Sequence, residues 1–281
     1  MASDSASCIL LTGVTGFLGK VVLEELFRRR KEFAFGKIIL LTRPKRDSDS
    51  KKRFYEDVAK SPCFSLLPAG WTNSVQVISG DLREKRCGIE EEIYECICKG
   101  VTHIIHCAGS IRFDLPLADA AAANISSTLN LLELAQKSPR LRRMASTSTA
   151  YVTPHTSGPI DEVLAPLPQA AALLFSDIQQ GRVVEAELLR VTGHPNTYTL
   201  TKCIAEHLLI EQRGSIPLTI VRPSIISASW HYPFPGWIDS QAALAGFVAL
   251  TGSGLLHVVD GNPNTLLDIV PVDEVARRLI D

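Results

Sequence analysis

A glycine-rich turn near the start of the chain limits the folds open to it more than any other sequence feature. The stretch ILLTGVTGFLGK places Gly13, Gly16 and Gly19 three residues apart, after an apolar run and before a helical pattern. Gly13 permits a tight turn, Gly16 lets the backbone approach a pyrophosphate, and Gly19 lets the helix pack against the strand. The helix start offers free N–H groups and a positive dipole end to phosphates. We therefore favour a dinucleotide-binding turn over a ligand-free one, with cofactor contacts from Gly13, Thr15, Gly16, Phe17, Leu18 and Gly19.

Short apolar runs alternate with helical patterns along the rest of the chain. The runs predict strands at residues 8–12, 37–42, 75–78, 101–106, 141–147, 218–222 and 266–270. Apolar residues recur with helical spacing at 20–31, 117–136 and 198–213. Buried strands that alternate with helices are typical of βαβ units. We expect an α/β fold, a doubly wound parallel sheet of about seven strands with helices on both faces.

The composition agrees with this fold and excludes several classes of function. The 281 residues are 46% hydrophobic but only 6% aromatic, which suits the aliphatic core of a parallel sheet. A net charge of −1 leaves no basic excess for a nucleic-acid backbone. The seven cysteines have no disulfide-framework spacing, and Cys96 and Cys98 form a lone C-x-C pair. We therefore expect a reducing compartment and no metal site.

Three segments bear on targeting and on the extent of the chain. The N-terminal residues lack the basic and apolar regions of a signal peptide. Residues 240–259 carry no Asp, Glu, Lys or Arg and approach the length of a membrane span. Their glycines and polar side chains favour a buried or lipid-facing wall over a spanning helix. The chain ends inside a predicted helix, DEVARRLID, so we expect a fragment or a trimmed domain.

Residues after the second, third and fourth predicted strands are candidates for the remaining cofactor contacts. Arg43 follows the second strand, with Lys45 and Arg46 behind it, and an arginine here favours a 2′-phosphate. We predict a preference for NADP(H), with a solvated basic loop as the alternative. After the third strand, Asp81 and Leu82 would lie at the adenine, and the carboxylate can accept a hydrogen bond from the adenine amine. The residues after the fourth strand that would let the backbone lie against the cofactor are Cys107, Ala108 and Gly109.

A tyrosine and a lysine four residues apart, Tyr198 and Lys202, are candidates for carbonyl reduction. On a helix they share one face, and the ammonium would lower the Tyr198 pKa from roughly 10. Lys202 would also hold the nicotinamide ribose. A hydroxyl from Ser148 or Thr149, in the segment STSTAYV, would bond the substrate oxygen while Tyr198 donates a proton. A Y-x-x-x-K pair alone is mostly structural, but its order after the glycine turn, Arg43 and the Ser/Thr segment favours catalysis, with hydride from the cofactor.

Seven segments together resemble one known family. TGVTGFLGK, HCAGSIRFD, STSTAYV, NTYTLTKCIAE, VRPSII, PFPGWIDS and DIVPVDEVA are similar to the fatty acyl-CoA reductases. Their male-sterility-type NAD(P)-binding domain belongs to the extended short-chain dehydrogenase/reductases. The resemblance spans residues 8–281. It implies a Rossmann-type fold with a small C-terminal lobe on the substrate side, NADPH as the cofactor, and reduction of a long-chain fatty acyl-CoA to a primary alcohol.

The resemblance also implies roles for individual residues. By position, Thr149, Tyr198 and Lys202 would form the catalytic set. Asn124 matches a helix asparagine that the superfamily places near the lysine, and simple hydrogen bonding at a helix kink is the alternative. The segment VRPSII would add three cofactor-binding residues, Pro223, Ser224 and Ile225.

The reaction implied by the resemblance has two reductions. The first converts the thioester to a hemithioacetal, which loses CoA thiol to give an aldehyde, and the second reduces the aldehyde to the alcohol. Residues 1–281 would form a single reductase domain ending before the family's C-terminal domain, with residues 223–265 as a substrate-side segment. Residues 237–259 would contact the acyl chain or cover the sheet. The resemblance places the protein inside the cell at the cytoplasmic face, and allows association with the endoplasmic reticulum or peroxisomal membrane.

The sequence departs from the family pattern at two positions and leaves other functions open. Ser127 stands where the family usually has glycine, and Tyr232 where an acid is common. One alternative is a related enzyme, either a reductase that stops at the aldehyde or an extended dehydrogenase for a sterol or sugar. Another is a catalytically silent NADP-binding module that regulates a partner. The intact Tyr198–Lys202 pair argues against the silent module.

Overall fold

The apolar runs of the sequence form the strands of a parallel sheet. The computed structural model describes residues 7–45, 48–154, 158–242, 244–262 and 264–281, so Arg46 lies outside the described residues. Within this part of the chain, a six-stranded sheet has the order β3-β2-β1-β4-β5-β6, and each neighbouring pair is parallel. The strands are β1 (Ser7–Thr12), β2 (Phe35–Thr42), β3 (Val75–Ser79), β4 (His103–His106), β5 (Arg143–Thr147) and β6 (Leu218–Val221).

Helices connect the strands, close to where the periodicity predicts them. The pattern at 117–136 is one helical stretch in which a π turn, Ala122–Ser126, joins α5 to α6. The pattern at 198–213 is α9, and the pattern at 20–31 is divided between α1 and α2 at Arg29. The helices are α1 (Phe17–Arg28), α2 (Arg30–Phe33), α3 (Ser50–Arg53), α4 (Glu91–Gly100), α5 (Leu117–Ala121), α6 (Ser127–Gln136), α7 (Ala171–Gln179), α8 (Glu185–Thr192), α9 (Thr197–Gln212), α10 (Leu244–Gly252) and α11 (Val272–Ile280).

The two faces of the sheet carry separate hydrophobic cores. In β1, Ile9 and Leu11 belong to the core beneath α1 and α11, whereas Leu10 belongs to the core beneath α4 and α6. Side chains alternate between faces along a strand, so a run that is apolar at every position must be covered on both sides. The prediction of helices on both faces is confirmed.

The strand order places a crevice beside the glycine turn. β1 pairs with β2 on one side and with β4 on the other, so the connections that leave β1 and β4 diverge at this point of the sheet. The carboxyl ends of β1 and β4 lie together, with Thr12 opposite His106. In open α/β sheets, ligands bind in the crevice at such a switch point.

The prediction of a seventh strand in the main sheet is wrong. The apolar run at 266–270 pairs only through β8 (Ile269–Pro271), which forms a separate two-stranded parallel sheet with β7 (Ile225–Ser227). Pro223 lies between β6 and β7 and has no N–H to continue a ladder. An apolar run indicates strand character but carries no information about which sheet the strand joins.

Residues 240–259 do not form a buried wall. They contain the nine-residue helix α10, and among the described residues no helix is long and apolar enough to cross a membrane. Phe247, Val248 and Leu250 are 43%, 59% and 48% exposed. The interpretation of this segment as a cover for the sheet is therefore wrong for these side chains.

Candidate active site

The glycine turn between β1 and α1 has no room for side chains at two of its glycines. Gly13 has φ +80°, and a Cβ atom there would lie 2.6 Å from the backbone N of Ala108. A Cβ on Gly19 would collide with the carbonyl group of Gly13, so this glycine allows α1 to approach the turn. Gly16 precedes α1, and no side chain caps the helix. The amides of the first turn, which have no partner within the helix, are therefore available to an anion.

A groove of about 660 Å³ runs along the carboxyl ends of the central strands. Most of the predicted cofactor residues line it: Gly13, Thr15, Gly16, Arg43, Asp81, Leu82, Cys107, Ala108 and Gly109. Phe17 and Leu18 begin α1 and lie outside this lining, as does Gly19. Pro223 and Ser224 follow β6, and Ile225 begins β7. None of these three residues lines the groove.

One end of the groove is basic, and it includes Arg53 and Arg83, which no motif indicated, beside the predicted Arg43. Arg43, Arg53 and Arg83 line this end together with Asp81. Arg53 donates to the Arg43 carbonyl oxygen at 2.7 Å, and its Nε is buried without a hydrogen-bond partner among the described residues. Burial and the Arg43 charge lower the pKa of Arg53. Arg53 lies in a polar stretch without periodicity, so no sequence signal indicated it.

Asp81 is already engaged by neighbouring arginines. Arg83 donates to both carboxylate oxygens, at 3.0 and 2.6 Å, and Arg43 lies 3.9 Å away. The hydrogen bonds from Arg83 hold the pKa of Asp81 below its usual range. The Asp81 carboxylate therefore orients the neighbouring guanidinium groups at the groove, in addition to any role at the adenine. Lys45, the next basic residue, pairs at 3.8 Å with exposed Asp57 instead.

Tyr198 and Lys202 lie on α9, which Asn196 caps by accepting a 2.9 Å hydrogen bond from the Thr199 amide. Lys202 is buried, and its Nζ donates to the Thr147 carbonyl oxygen at 2.9 Å. Burial lowers the pKa of Lys202 to about 8, against an opposing effect of Cys107 and Glu206. The structure thus places the ammonium under the end of β5, beside the groove.

The expectation that Lys202 lowers the Tyr198 pKa is wrong in this structure. The pKa of Tyr198 is raised by burial, and the nearby Thr149 hydroxyl opposes the rise. Lys202 Nζ donates to the Thr147 carbonyl oxygen, and its charge is not among the influences on the Tyr198 pKa. Burial disfavours the charged tyrosinate, so Tyr198 is held as a neutral proton donor.

Thr149, and not Ser148, is the hydroxyl that meets Tyr198. The Thr149 hydroxyl is the side-chain group whose interaction with the phenol lowers the Tyr198 pKa, and it accepts from the Tyr151 amide at 3.3 Å. The Ser148 hydroxyl is buried, with no hydrogen-bond partner among the described residues. The structure thus brings together Thr149, Tyr198 and Lys202, as predicted.

Asn124 and Lys202 both lie against Gly109, in the loop after β4. A Cβ on Gly109 would be 3.0 Å from Asn124 Oδ1 and 3.3 Å from Lys202 Nζ. Asn124 Oδ1 accepts from the Ser110 amide at 2.9 Å, and Nδ2 donates to the Thr201 hydroxyl at 3.1 Å. The residue is within the π turn, yet its amide bonds other elements, so its side chain links the loop after β4 to α9.

His106 was missed as a site residue. It is buried at the end of β4, where its ring nitrogens lie 2.8 Å from the Thr12 hydroxyl and 3.2 Å from the Thr128 hydroxyl. Burial and the Lys202 charge lower its pKa to about 3, so the imidazole is neutral. A neutral His106 joins β1, β4 and α6 beneath the glycine turn. Its position at a strand end was visible in the segment VTHIIH, but its partners were not.

Comparison with known protein families identifies the family of this chain. The NAD-binding family described as male sterility protein matches residues 11–279. The chain belongs to the male sterility protein family. The nicotinamide dinucleotide that the glycine turn predicts is thereby confirmed, without a distinction between NADH and NADPH.

Similar proteins of this family are named fatty acyl-CoA reductases. Fatty acyl-CoA reductase 2 of Mus musculus is 33% identical over 98% of this chain and 54% of its own length. Fatty acyl-CoA reductase 1 of Mus musculus is 35% identical over 96% of this chain and 53% of its own length. The chain spans about half the length of the curated relatives it matches. The resemblance noted from the motifs is confirmed.

Two solved reductase domains are among the structures with a similar fold. The terminal R domain from the myxalamid PKS-NRPS biosynthetic pathway matches with a TM-score of 0.75 and 24% identity, over 99% of this chain and 63% of that one. The reductase (R) domain of a nonribosomal peptide synthetase from Mycobacterium tuberculosis matches with a TM-score of 0.68 and 22% identity, over the same shares. At these identities the likeness establishes the Rossmann-type fold.

The two departures from the male sterility pattern are accommodated locally. Ser127 lines the groove, but its hydroxyl turns back to donate to the Ala123 carbonyl at 2.5 Å. Tyr232 lies under the Arg28 guanidinium, 3.5 Å from the ring centroid. Asp273, an acid on α11, accepts hydrogen bonds from the Tyr232 amide at 3.2 Å and from the Trp230 amide at 2.8 Å. The loop of Tyr232 is thus fixed by Asp273.

Proposed function

We propose that residues 1–281 are a single reductase domain that reduces long-chain fatty acyl-CoA to fatty alcohol with NADPH, through an aldehyde. One observation carries the proposal: a neutral, half-buried Tyr198 lies beside the Thr149 hydroxyl, which lowers its pKa against burial, and four residues from buried Lys202 next to the dinucleotide groove. The names of the relatives supply the substrate class. The site supplies the proton donor that carbonyl reduction needs.

The groove fits a nicotinamide dinucleotide. Its glycine turn packs at Gly13 directly against the backbone of Cys107 and Ala108, and the uncapped start of α1 suits a pyrophosphate. At the other end, Arg43 and Arg53 would hold a 2′-phosphate, and the unpartnered Nε of Arg53 is a donor without an acceptor. Lys202 would hold the nicotinamide ribose. The bound cofactor supplies hydride to the substrate carbon.

The residues of the chain would then act on the substrate oxygen. In the first reduction, Thr149 stabilises the negative charge that develops on the thioester oxygen. The hemithioacetal anion then re-forms its C=O bond as the C–S bond breaks, and CoA leaves as a thiolate that takes a proton from solvent. In the second reduction, Tyr198 donates its proton to the aldehyde oxygen, with Thr149 again as a hydrogen-bond partner. Burial keeps Tyr198 protonated until charge develops on that oxygen.

Oxidation of NADPH over an acyl-CoA series tests the proposal. We expect turnover of palmitoyl-CoA, and a loss of about 100-fold to 10,000-fold in kcat for Tyr198→Phe, because a general acid contributes about that much. Tyr55→Phe is the matched control, since Tyr55 is 47% exposed and lies on the π turn after α3. Wild-type rates in Tyr198→Phe would refute the site.

Product analysis separates the related functions. Hexadecanol as the end product supports the alcohol-forming reaction, whereas aldehyde that accumulates without further reduction rejects it. NADPH binding without turnover of any carbonyl substrate would instead indicate a silent cofactor-binding module.

We also propose that residues 223–265 form the substrate-side segment and contact the cytoplasmic leaflet of the endoplasmic reticulum or peroxisomal membrane. Residues 240–259 lack charged side chains, and the exposed Phe247, Leu250 and Leu255 form an apolar surface there. Apolar surface of this kind marks interaction sites. Co-flotation with phosphatidylcholine vesicles tests the contact, and we expect Leu250→Asp to abolish it. Wild-type protein that stays at the bottom of the gradient would contradict the proposal.

A further inference from the structure

The loop between β4 and α5 is fixed at both ends beside the candidate catalytic residues. At one end, the Ser110 amide donates to Asn124 Oδ1 at 2.9 Å. At the other end, the Leu115 carbonyl oxygen accepts from the Thr197 hydroxyl, at the first residue of α9, at 2.8 Å. The side chains between these two anchors are therefore held in place next to Tyr198.

Two of these side chains are apolar and exposed. Ile111 is 62% exposed and Phe113 is 64% exposed, although large apolar residues usually avoid water in a fixed loop. Ser110 and Arg112 line the dinucleotide groove, whereas Ile111 and Phe113 do not. Arg112 pairs with Asp114 at 2.8 Å, so the nearest charges of the loop neutralise each other. The loop thus presents polar groups to the groove and apolar groups elsewhere.

Phe113 contacts the ring of the candidate proton donor. The ring centroids of Phe113 and Tyr198 are 5.7 Å apart, and the ring planes are tilted by 35°. Any substrate whose carbonyl oxygen reaches the Tyr198 hydroxyl must bring its neighbouring carbon atoms close to Phe113. For an acyl thioester, those atoms are the first methylene groups of the acyl chain.

We propose that Phe113 and Ile111 form an apolar platform for the acyl chain and set the preference for long-chain substrates. The proposal rests on the proposed fatty acyl-CoA reductase function. A hydrocarbon chain on the platform would remove the exposed faces of both side chains from water, which stabilises the complex in proportion to the area covered. An acetyl group has no methylene carbon and would leave most of that area exposed. The platform therefore discriminates by chain length, which a role only in orienting Tyr198 would not do.

Chain-length dependence of Phe113 variants tests the platform. We expect Phe113→Ala to lower kcat/KM for palmitoyl-CoA by about tenfold or more, because it removes one aromatic contact with the first methylene groups, and for acetyl-CoA, which has no methylene group in its acyl chain, by less than about twofold. Phe113→Leu should restore most of the palmitoyl-CoA activity. Leu66→Ala is the matched control, since Leu66 is 69% exposed and far along the chain from the site. Equal losses for both substrates, or no loss, would overturn the platform.

A binding measurement distinguishes this proposal from the reductase function itself. Calorimetric titration of palmitoyl-CoA into the NADP⁺-loaded protein should show about tenfold weaker binding to Phe113→Ala than to wild type. If wild type binds palmitoyl-CoA but oxidises no NADPH, the proposed function fails while the platform is still measured. Identical dissociation constants for the two proteins, or no binding by wild type, would reject the platform.

Discussion

Reversal of the charge at Arg43 tests the cofactor preference most directly. The Arg43 side chain is 58% exposed at the basic end of the groove, and its nearest acidic atom among the described residues is Asp81 Oδ2 at 3.9 Å. This separation is long for an ion pair, so the guanidinium keeps donors for a phosphate. Arg43→Glu removes these donors and places a carboxylate where a 2′-phosphate would lie.

The size of the effect follows from the contacts at this end of the groove. A hydrogen bond to a charged group contributes about 1.5–3 kcal/mol, which corresponds to about 10-fold to 150-fold in binding. Repulsion between the new carboxylate and a phosphate adds to this loss. Arg53 is anchored on the Arg43 backbone and not on its side chain, so it retains its position in the variant.

Steady-state kinetics with both cofactors measures the prediction. We expect kcat/KM for NADPH to fall by about 10-fold to 150-fold or more in Arg43→Glu, and kcat/KM for NADH to change by less than about threefold. Lys51→Glu is the matched control, because it reverses the charge of an exposed lysine on α3 outside the groove. Equal losses for NADPH and NADH, or a wild-type preference for NADH, would refute the assignment of Arg43.

Two further predictions concern the glycine turn and the buried lysine. Gly13→Ala should lower the free energy of unfolding by about 1–2 kcal/mol from the positive φ alone, and weaken NADPH binding, because the Cβ would lie 2.6 Å from the Ala108 amide nitrogen. Urea unfolding and NADPH titration measure both effects, with Gly100→Ala as the control in open space; a neutral Gly13→Ala would contradict the geometry. Lys202→Met should abolish activity yet raise the free energy of unfolding at pH 7 by about 1–3 kcal/mol, because burial depresses the Lys202 pKa from 10.5 to about 8. The buried charge of Lys202 destabilises the folded state fully below pH 8 and progressively less up to pH 10.5, so the stability gained by Lys202→Met should be smaller at pH 9 than at pH 7. Urea unfolding at both pH values measures this difference. A stability gain that increases with pH would refute the reasoning.

Local sequence was sufficient wherever a structural feature depends on neighbours along the chain. The spacing of Gly13, Gly16 and Gly19 predicted a tight turn between a strand and a helix, because the turn is built from adjacent residues. The alternation of apolar runs and helical periods predicted the doubly wound sheet, since each period reports which faces of its own element are covered. Tyr198 and Lys202 share a helix face by spacing alone.

Features that depend on distant segments could not be predicted in the same way. The run at 266–270 has strand character, but its partner is β7 and not the main sheet. Arg53 and Arg83 reach the groove beside Arg43 through the folding of separate connections. The Asn124 amide finds its partners at Ser110 and Thr201, which lie 14 residues before it and 77 residues after it.

The chemistry of the site shows the same division. Residue types and order along the chain predicted that Tyr198, Lys202 and a hydroxyl from Ser148 or Thr149 belong to one reductase site, and the family resemblance implied Thr149. Only the tertiary structure decided the protonation of that site, because burial raises the Tyr198 pKa and lowers the Lys202 pKa. It also decided that Phe113 lies on the Tyr198 ring. Desolvation and contact between segments depend on how the whole chain packs, whereas motif spacing depends only on the order of the residues.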